Sequence, residues 1–165
     1  MPSRAQAYCC DDWGVLRAAA AVAALALAAS AAGAAPTVTF PRGTATIDTG
    51  TRKVVFDVEI AATDAQRSLG LMHRRRLAPM AGMAFLYPAP ARGSFWMKDT
   101  LIPLSIAFWD RRGRIIRILD MTPCPTGACR FYSPQAPFAG ALEVNRGAFR
   151  RLGVKRGDVV TIRRR

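Results

Sequence analysis

The sequence predicts a mainly β domain, a closed or sandwiched antiparallel sheet of about eight short strands with two short helices. Three observations predict it. Short runs rich in Val, Ile, Phe and Trp recur between Gly, Pro and Asp turns at intervals of about 8–12 residues, the spacing of barrels and sandwiches. Val54, Phe56, Val58 and Ile60 alternate strictly with polar residues, the period of a half-buried strand. Helix signals are confined to two short stretches.

Taken in order, 37–40 and 44–47 are expected as strands, 48–50 (Asp-Thr-Gly) as a turn, and 53–61 as a strand with Asp57 and Glu59 opposite its apolar face. Thr63 and Gln66 have the spacing of a capping box, so a short helix should start at Asp64 and end near Gly70. His73-Arg74-Arg75-Arg76 follows as an exposed basic turn. Strands are expected at 82–87 and 94–98. The clearest hairpin joins 102–109 to 114–121 through Asp110-Arg111-Arg112-Gly113. A further strand is expected at 139–144. A short helix over 146–152 should stop at Gly153, and a last strand should occupy 159–163.

Composition narrows the class. The chain has 165 residues, 24 Lys and Arg against 11 Asp and Glu, a formal net charge of +13 and 51% hydrophobic residues. Much of the apolar excess is local, because residues 18–35 contain 13 Ala in 18 positions. Without residues 1–35 the hydrophobic share is about 45%, ordinary for a globular domain. The charge is unchanged by that removal, since Arg4 and Arg17 cancel Asp11 and Asp12. Residues 36–165 are therefore expected as one domain with its own core. They form neither a disordered chain nor a cysteine-rich scaffold.

Residues 1–35 are expected to be a signal peptide. An Ala-rich apolar stretch follows Arg17, and Ala32-Gly33-Ala34 offers small residues for cleavage. Asp11 and Asp12 do not suit the basic start of such a segment, which places the expected start near Val15. The expected location is periplasmic or secreted, with no stable membrane span after processing. Export also removes nucleic acid as the expected partner of the +13 charge and leaves an anionic envelope component or a small molecule. Cys124 and Cys129, in the turn-rich segment TPCPTGAC, are then expected to form a structural disulfide.

VEIA at 58–61, QRSLGLMHR at 66–74, GMAFLY at 82–87, FWMKDTLIPLSIAFWD at 95–110 and ALE at 141–143 together resemble the domain-of-unknown-function 192 family of small, often exported proteins. The resemblance spans residues 54–162. It implies a compact antiparallel β-barrel or jelly-roll-like domain, and it implies no activity. Asp99 stands where the family usually has Asn, and Ser105 where it frequently has Asp.

Four residues are candidates for a ligand site: Arg67, Trp96, Lys98 and Glu143. Arg67 could clamp an anionic group with its guanidinium fork, or pair internally with Glu143 or Glu59. Trp96 beside Lys98 could offer a stacking platform, or Trp96 could be a rim aromatic. Met72, His73 and Met97 have the donor chemistry for copper, against the usual role of Met as core filler. Glu59, Glu143, His73 and Ser105 are the residues on which a hydrolase or transferase acting on envelope polymers would draw. A structural accessory without catalysis is the remaining alternative. No cofactor motif occurs, no cofactor is expected, and a monomer is expected.

Overall fold

The computed structural model describes residues 37–124 and 127–165; the leader expected at 1–35 lies outside the described residues. Among them are nine strands and two short helices. They are β1 (Arg42–Asp48), β2 (Lys53–Ala61), α1 (Asp64–Leu69), β3 (Ala81–Ala91), β4 (Phe95–Trp96), β5 (Leu104–Trp109), β6 (Ile115–Met121), β7 (Phe131–Tyr132), β8 (Phe138–Asn145), α2 (Ala148–Arg151) and β9 (Val159–Arg164). Seven strands form one sheet in the order β6-β5-β8-β3-β2-β1-β9, and β4 pairs with β7 in a separate ribbon.

The large sheet curls into a half-barrel because its two edges meet at one end. Arg114 and Val159 form an isolated bridge. Around it Ile115 N donates to Asp158 O at 2.8 Å and Val160 N to Gly113 O at 2.8 Å. Gly113 has φ 76°, and a Cβ there would lie 2.5 Å from Val160 O, so the seam requires glycine at this turn.

Strand alternation sorts the apolar residues into two cores. The inner one draws on all seven strands, with Ile47, Phe56, Ala84, Trp109, Ile115, Leu142 and Val160 among its members. Phe149 of α2 plugs it, edge-on to Phe56 at 6.1 Å. The second core lies on the other face of β3, β5 and β8, with Met83, Phe85, Ile106, Phe108 and Phe138. All six residues of β5 are therefore buried, as expected of a strand covered on both faces.

Mainly β architecture with two short helices is what the sequence predicts, and three details differ. The sheet is mixed, because β2 and β3 pair in parallel. Residues 62–80 carry the chain back across the sheet through α1, the crossover that a parallel pair requires. Residues 37–40 form no strand; Pro41 O accepts from Ile60 N at 2.8 Å, and Phe40 packs on the second core. Finally, β7 was not expected. The capping box at α1 forms as predicted, with Thr63 accepting from Gln66 N and the Gln66 side chain accepting from Thr63 N.

Candidate functional site

Phe95 and Trp96 are the whole of β4, and alternation sends them to opposite sides. Phe95 turns inward, edge-on to Phe85 at 5.0 Å and Phe108 at 5.5 Å, and thereby fixes the ribbon to the second core. Trp96 turns outward and is 45% exposed. Its cross-strand partner is Phe131, 64% exposed, and the two rings stack at 6.0 Å with planes 10° apart. Lys98 Nζ lies over the Trp96 ring, 5.5 Å from its centroid. The result is an exposed pair of parallel aromatic rings with a cation over Trp96.

A cleft of about 410 Å³ opens at this platform, lined by Trp96, Lys98, Asp99, Phe131, the two cysteines and Gly127-Ala128. Cys124 and Cys129 are joined in a disulfide, with Cα atoms 5.6 Å apart. Cys124 bridges to Lys98, and Cys129 stands two residues before Phe131. The disulfide therefore ties together the two segments that carry the platform. Behind it Tyr132 is buried, and its hydroxyl accepts from Thr122 N at 3.1 Å.

The other two candidates lie apart from this pair. Arg67 Nη1 donates to Ala62 O at 2.5 Å and Leu86 O at 2.9 Å, Nη2 donates to Asp64, and the guanidinium lies 4.9 Å from the Tyr87 ring centroid. It thus pairs with neither Glu143 nor Glu59; it binds α1 to the start of its crossover at Ala62 and to β3 at Leu86. Glu143 is 5% exposed and sits on β8 between Met83 of β3 and Ile106 of β5. Among the described residues its carboxyl has no hydrogen bond or ion pair. Burial in this apolar setting pushes it up to about 8, so it is protonated at neutral pH. Tyr87 is pushed up as well, by burial first, with Arg67 opposing and Glu143 adding to the rise.

The remaining candidates are placed as follows. Glu59 aligns with Met83 on the same row as Glu143, so β3 separates the two carboxyls by two strand spacings, about 10 Å. Fully buried Met83 fills the space between them, and Glu59 is paired with Arg74 and, at 3.7 Å, with Arg42. Ser105 is buried, its Oγ donating to Asp120 at 2.5 Å and accepting from Gly147 N at 2.8 Å. Position 120 lies directly opposite 105, so the carboxylate that the family resemblance leads one to expect at 105 is supplied from the neighbouring strand. Met97 is fully buried in the second core, whereas His73 is exposed on a turn. Among the described residues no cluster of three His, Cys, Asp or Glu side chains could hold a metal.

Phe131 was missed by sequence reasoning. Its signal was faint: an aromatic pair, Phe131-Tyr132, just past the cysteine loop, able to match Phe95-Trp96 across a two-residue ribbon.

Comparison with known proteins gives the chain its relatives. Two solved structures are similar. One, from Sinorhizobium meliloti 1021 and described as a "putative transcription regulator", is 32% identical, covers 77% of this chain and 98% of its own, and has a TM-score of 0.68. The other, a protein of unknown function from Novosphingobium aromaticivorans DSM 12444, is 34% identical, covers 78% and 94%, and has a TM-score of 0.66. No curated protein matches the chain significantly. The model of the DUF192 family, described as "Uncharacterized ACR", matches residues 45–162. With nearly the whole described domain inside that match, the chain belongs to the domain-of-unknown-function 192 family.

Proposed function

We propose that the protein is an exported, monomeric binding module, periplasmic or secreted, that takes up an anionic envelope component on the Trp96 platform. The observation that carries this is the exposed, parallel stack of Trp96 and Phe131 with Lys98 over the Trp96 ring. Two exposed aromatic rings held parallel on a disulfide-tied ribbon suit packing against a sugar ring, and the ammonium suits a carboxylate or phosphate borne by that ring. The +13 charge adds long-range attraction for anions. Arg67 and Glu143 serve this function as scaffold, since their contacts are internal.

Trigalacturonate is a suitable probe, with uncharged maltotriose as its neutral counterpart. Titration of the full chain should quench Trp96 fluorescence with trigalacturonate more strongly than with maltotriose. Trp96→Ala and Phe131→Ala should each weaken binding about tenfold, near the upper end of a 0.5–1.5 kcal/mol aromatic contribution. Lys98→Gln should erase the preference for the charged probe. Equal binding by wild type and Trp96→Ala would sink the proposal.

The solved relative described as a transcription regulator brings nucleic acid forward as a comparison ligand. α1 and α2 have six and four residues, too short to present a recognition helix to a major groove. Duplex DNA should therefore not compete with trigalacturonate for the platform.

A further inference from the structure

A second cleft, of about 990 Å³, shares no lining residue with the Trp96 platform. Its floor is the outer face of β2, β1 and β9. The residues that alternate with the inner core there are polar or half-apolar: Val55 pairs with Thr46, and Thr46 with Thr161, in one row across three strands. Its rim carries five cations, Lys53, Arg114, Lys155, Arg156 and Arg163, against two acids, Asp48 and Asp158.

Both acids are already engaged. Asp158 is buried, accepts from Lys155 N at 2.8 Å and pairs with Lys155 Nζ at 3.4 Å. Asp48 accepts from Gly50 N at 2.8 Å in the β1–β2 turn. In the adjoining row Asp57 is held by Arg165 at 2.5 Å. Among the described residues Lys53, Arg156 and Arg163 have no carboxylate partner, and Arg114 has only Gly157 O, at 2.8 Å. An Arg-rich composition accounts for the number of guanidiniums but not for four unneutralised cations around one groove.

The spacing of these charges identifies the ligand's shape. Lys53 lies in the row of Asp48 and Val159, and Arg163 lies four residues further along β9. Two strand spacings across and four residues along put their Cα atoms on the order of 15 Å apart. A single phosphate cannot reach both. A chain with an anion on every repeat can, and it would release a counterion at each contact.

We infer that this groove binds a single-chain polyphosphate-like polymer, one with a phosphate on every repeat and no bases. The inference stands on residues separate from the platform and holds whether or not Trp96 binds a sugar. The test is the affinity of the full chain for inorganic polyphosphate across a salt series. In K53Q/R156Q/R163Q, which keeps Arg114 for its bond to Gly157, affinity should fall at least about tenfold and log K should depend less steeply on log salt. Thr161→Glu, at an exposed strand position, places a carboxylate on the floor and should give the same loss. Trigalacturonate binding by the triple variant should be unchanged, which separates failure at this groove from failure at the platform. The inference is overturned if both variants bind polyphosphate as the wild type does. It is overturned equally if duplex DNA binds more tightly than polyphosphate at the same salt, or if only phosphatidylglycerol vesicles bind.

Discussion

The backbone amide of His73 donates to the carbonyl of Asp99 at 2.8 Å, and both residues hold left-handed backbone, with φ of 62° and 53°. Each ends a turn, one after α1 and one after β4, and the bond locks the two loops together. Left-handed geometry costs a residue with a Cβ, least for Asn, Asp and His, whose side chains satisfy the local backbone. It also gives a physical reason for the Asn that the family resemblance leads one to expect at position 99, where Asp stands here. Asp99→Asn should leave stability within about 0.5 kcal/mol, whereas β-branched Asp99→Val should cost about 1–3 kcal/mol. Urea denaturation of the two variants measures the difference.

Glu143 makes stability depend on pH in an unusual direction. Its carboxyl stands at about 8 when folded and near the ordinary 4.5 when unfolded. Between those values the folded state holds one more proton than the unfolded state, so stability falls as pH rises. The contribution is complete below about 4.5, declines through the neutral range and levels off above 8. The total change is a few kcal/mol. Glu143→Gln keeps the shape and removes the titration. It should be less pH-sensitive and more stable than wild type at pH 9, as thermal melts from pH 5 to 9 would show. Equal slopes for the two proteins would contradict a buried, protonated Glu143.

The seam between β6 and β9 predicts a sharp effect at one glycine. Gly113→Ala meets both a positive φ and a carbonyl 2.5 Å from the new Cβ, neither of which a side-chain rotation can relieve. Destabilisation of about 2–4 kcal/mol is expected, above the usual cost of a surface substitution. Hydrogen exchange should localise the loss to the amides of Ile115 and Val160, whose bonds close the seam. Gly50→Ala also places a residue at positive φ, 81°, but its Cβ would meet nothing within 4 Å, so it should cost less.

What the sequence could reveal depended on the range of the interaction. β2 and α1 were legible with their bounds because alternation and the Thr63–Gln66 box are local signals. The parallel pairing of β2 with β3 was not, since direction is set by how residues 62–80 cross the sheet. Trp96 and Lys98 were legible as a pair two residues apart on one strand face, but Phe131 joins them through a pairing 35 positions away. Glu143 could be named from its family block. Its burial, which makes it an uncharged part of the second core, came only from the alignment of Met83 and Ile106 on either side. Arg67 suggests a clamp for a ligand anion or a partner for Glu143 or Glu59, whereas its donors go to Asp64, three residues before it on α1, and to two main-chain carbonyls that no side-chain pattern marks.

The disulfide joins the fold to the proposed site and separates two effects. Closing so short a loop should contribute about 2 kcal/mol to folding. The domain has two extensive cores of its own, so the loss of that contribution should leave it folded. The platform has less in reserve. β4 and β7 are two residues each, and Cys124 and Cys129 tie the segment beside Lys98 to the one leading into Phe131. Cys124→Ser with Cys129→Ser should therefore lower Tm by several degrees, consistent with about 2 kcal/mol in a domain of this size. Trigalacturonate affinity should fall by a larger factor than the global stability loss implies, because the folded population remains near complete. Calorimetry on the double variant checks both quantities at once. Unchanged affinity alongside a lowered Tm would show that the aromatic pair holds its geometry without the cross-link.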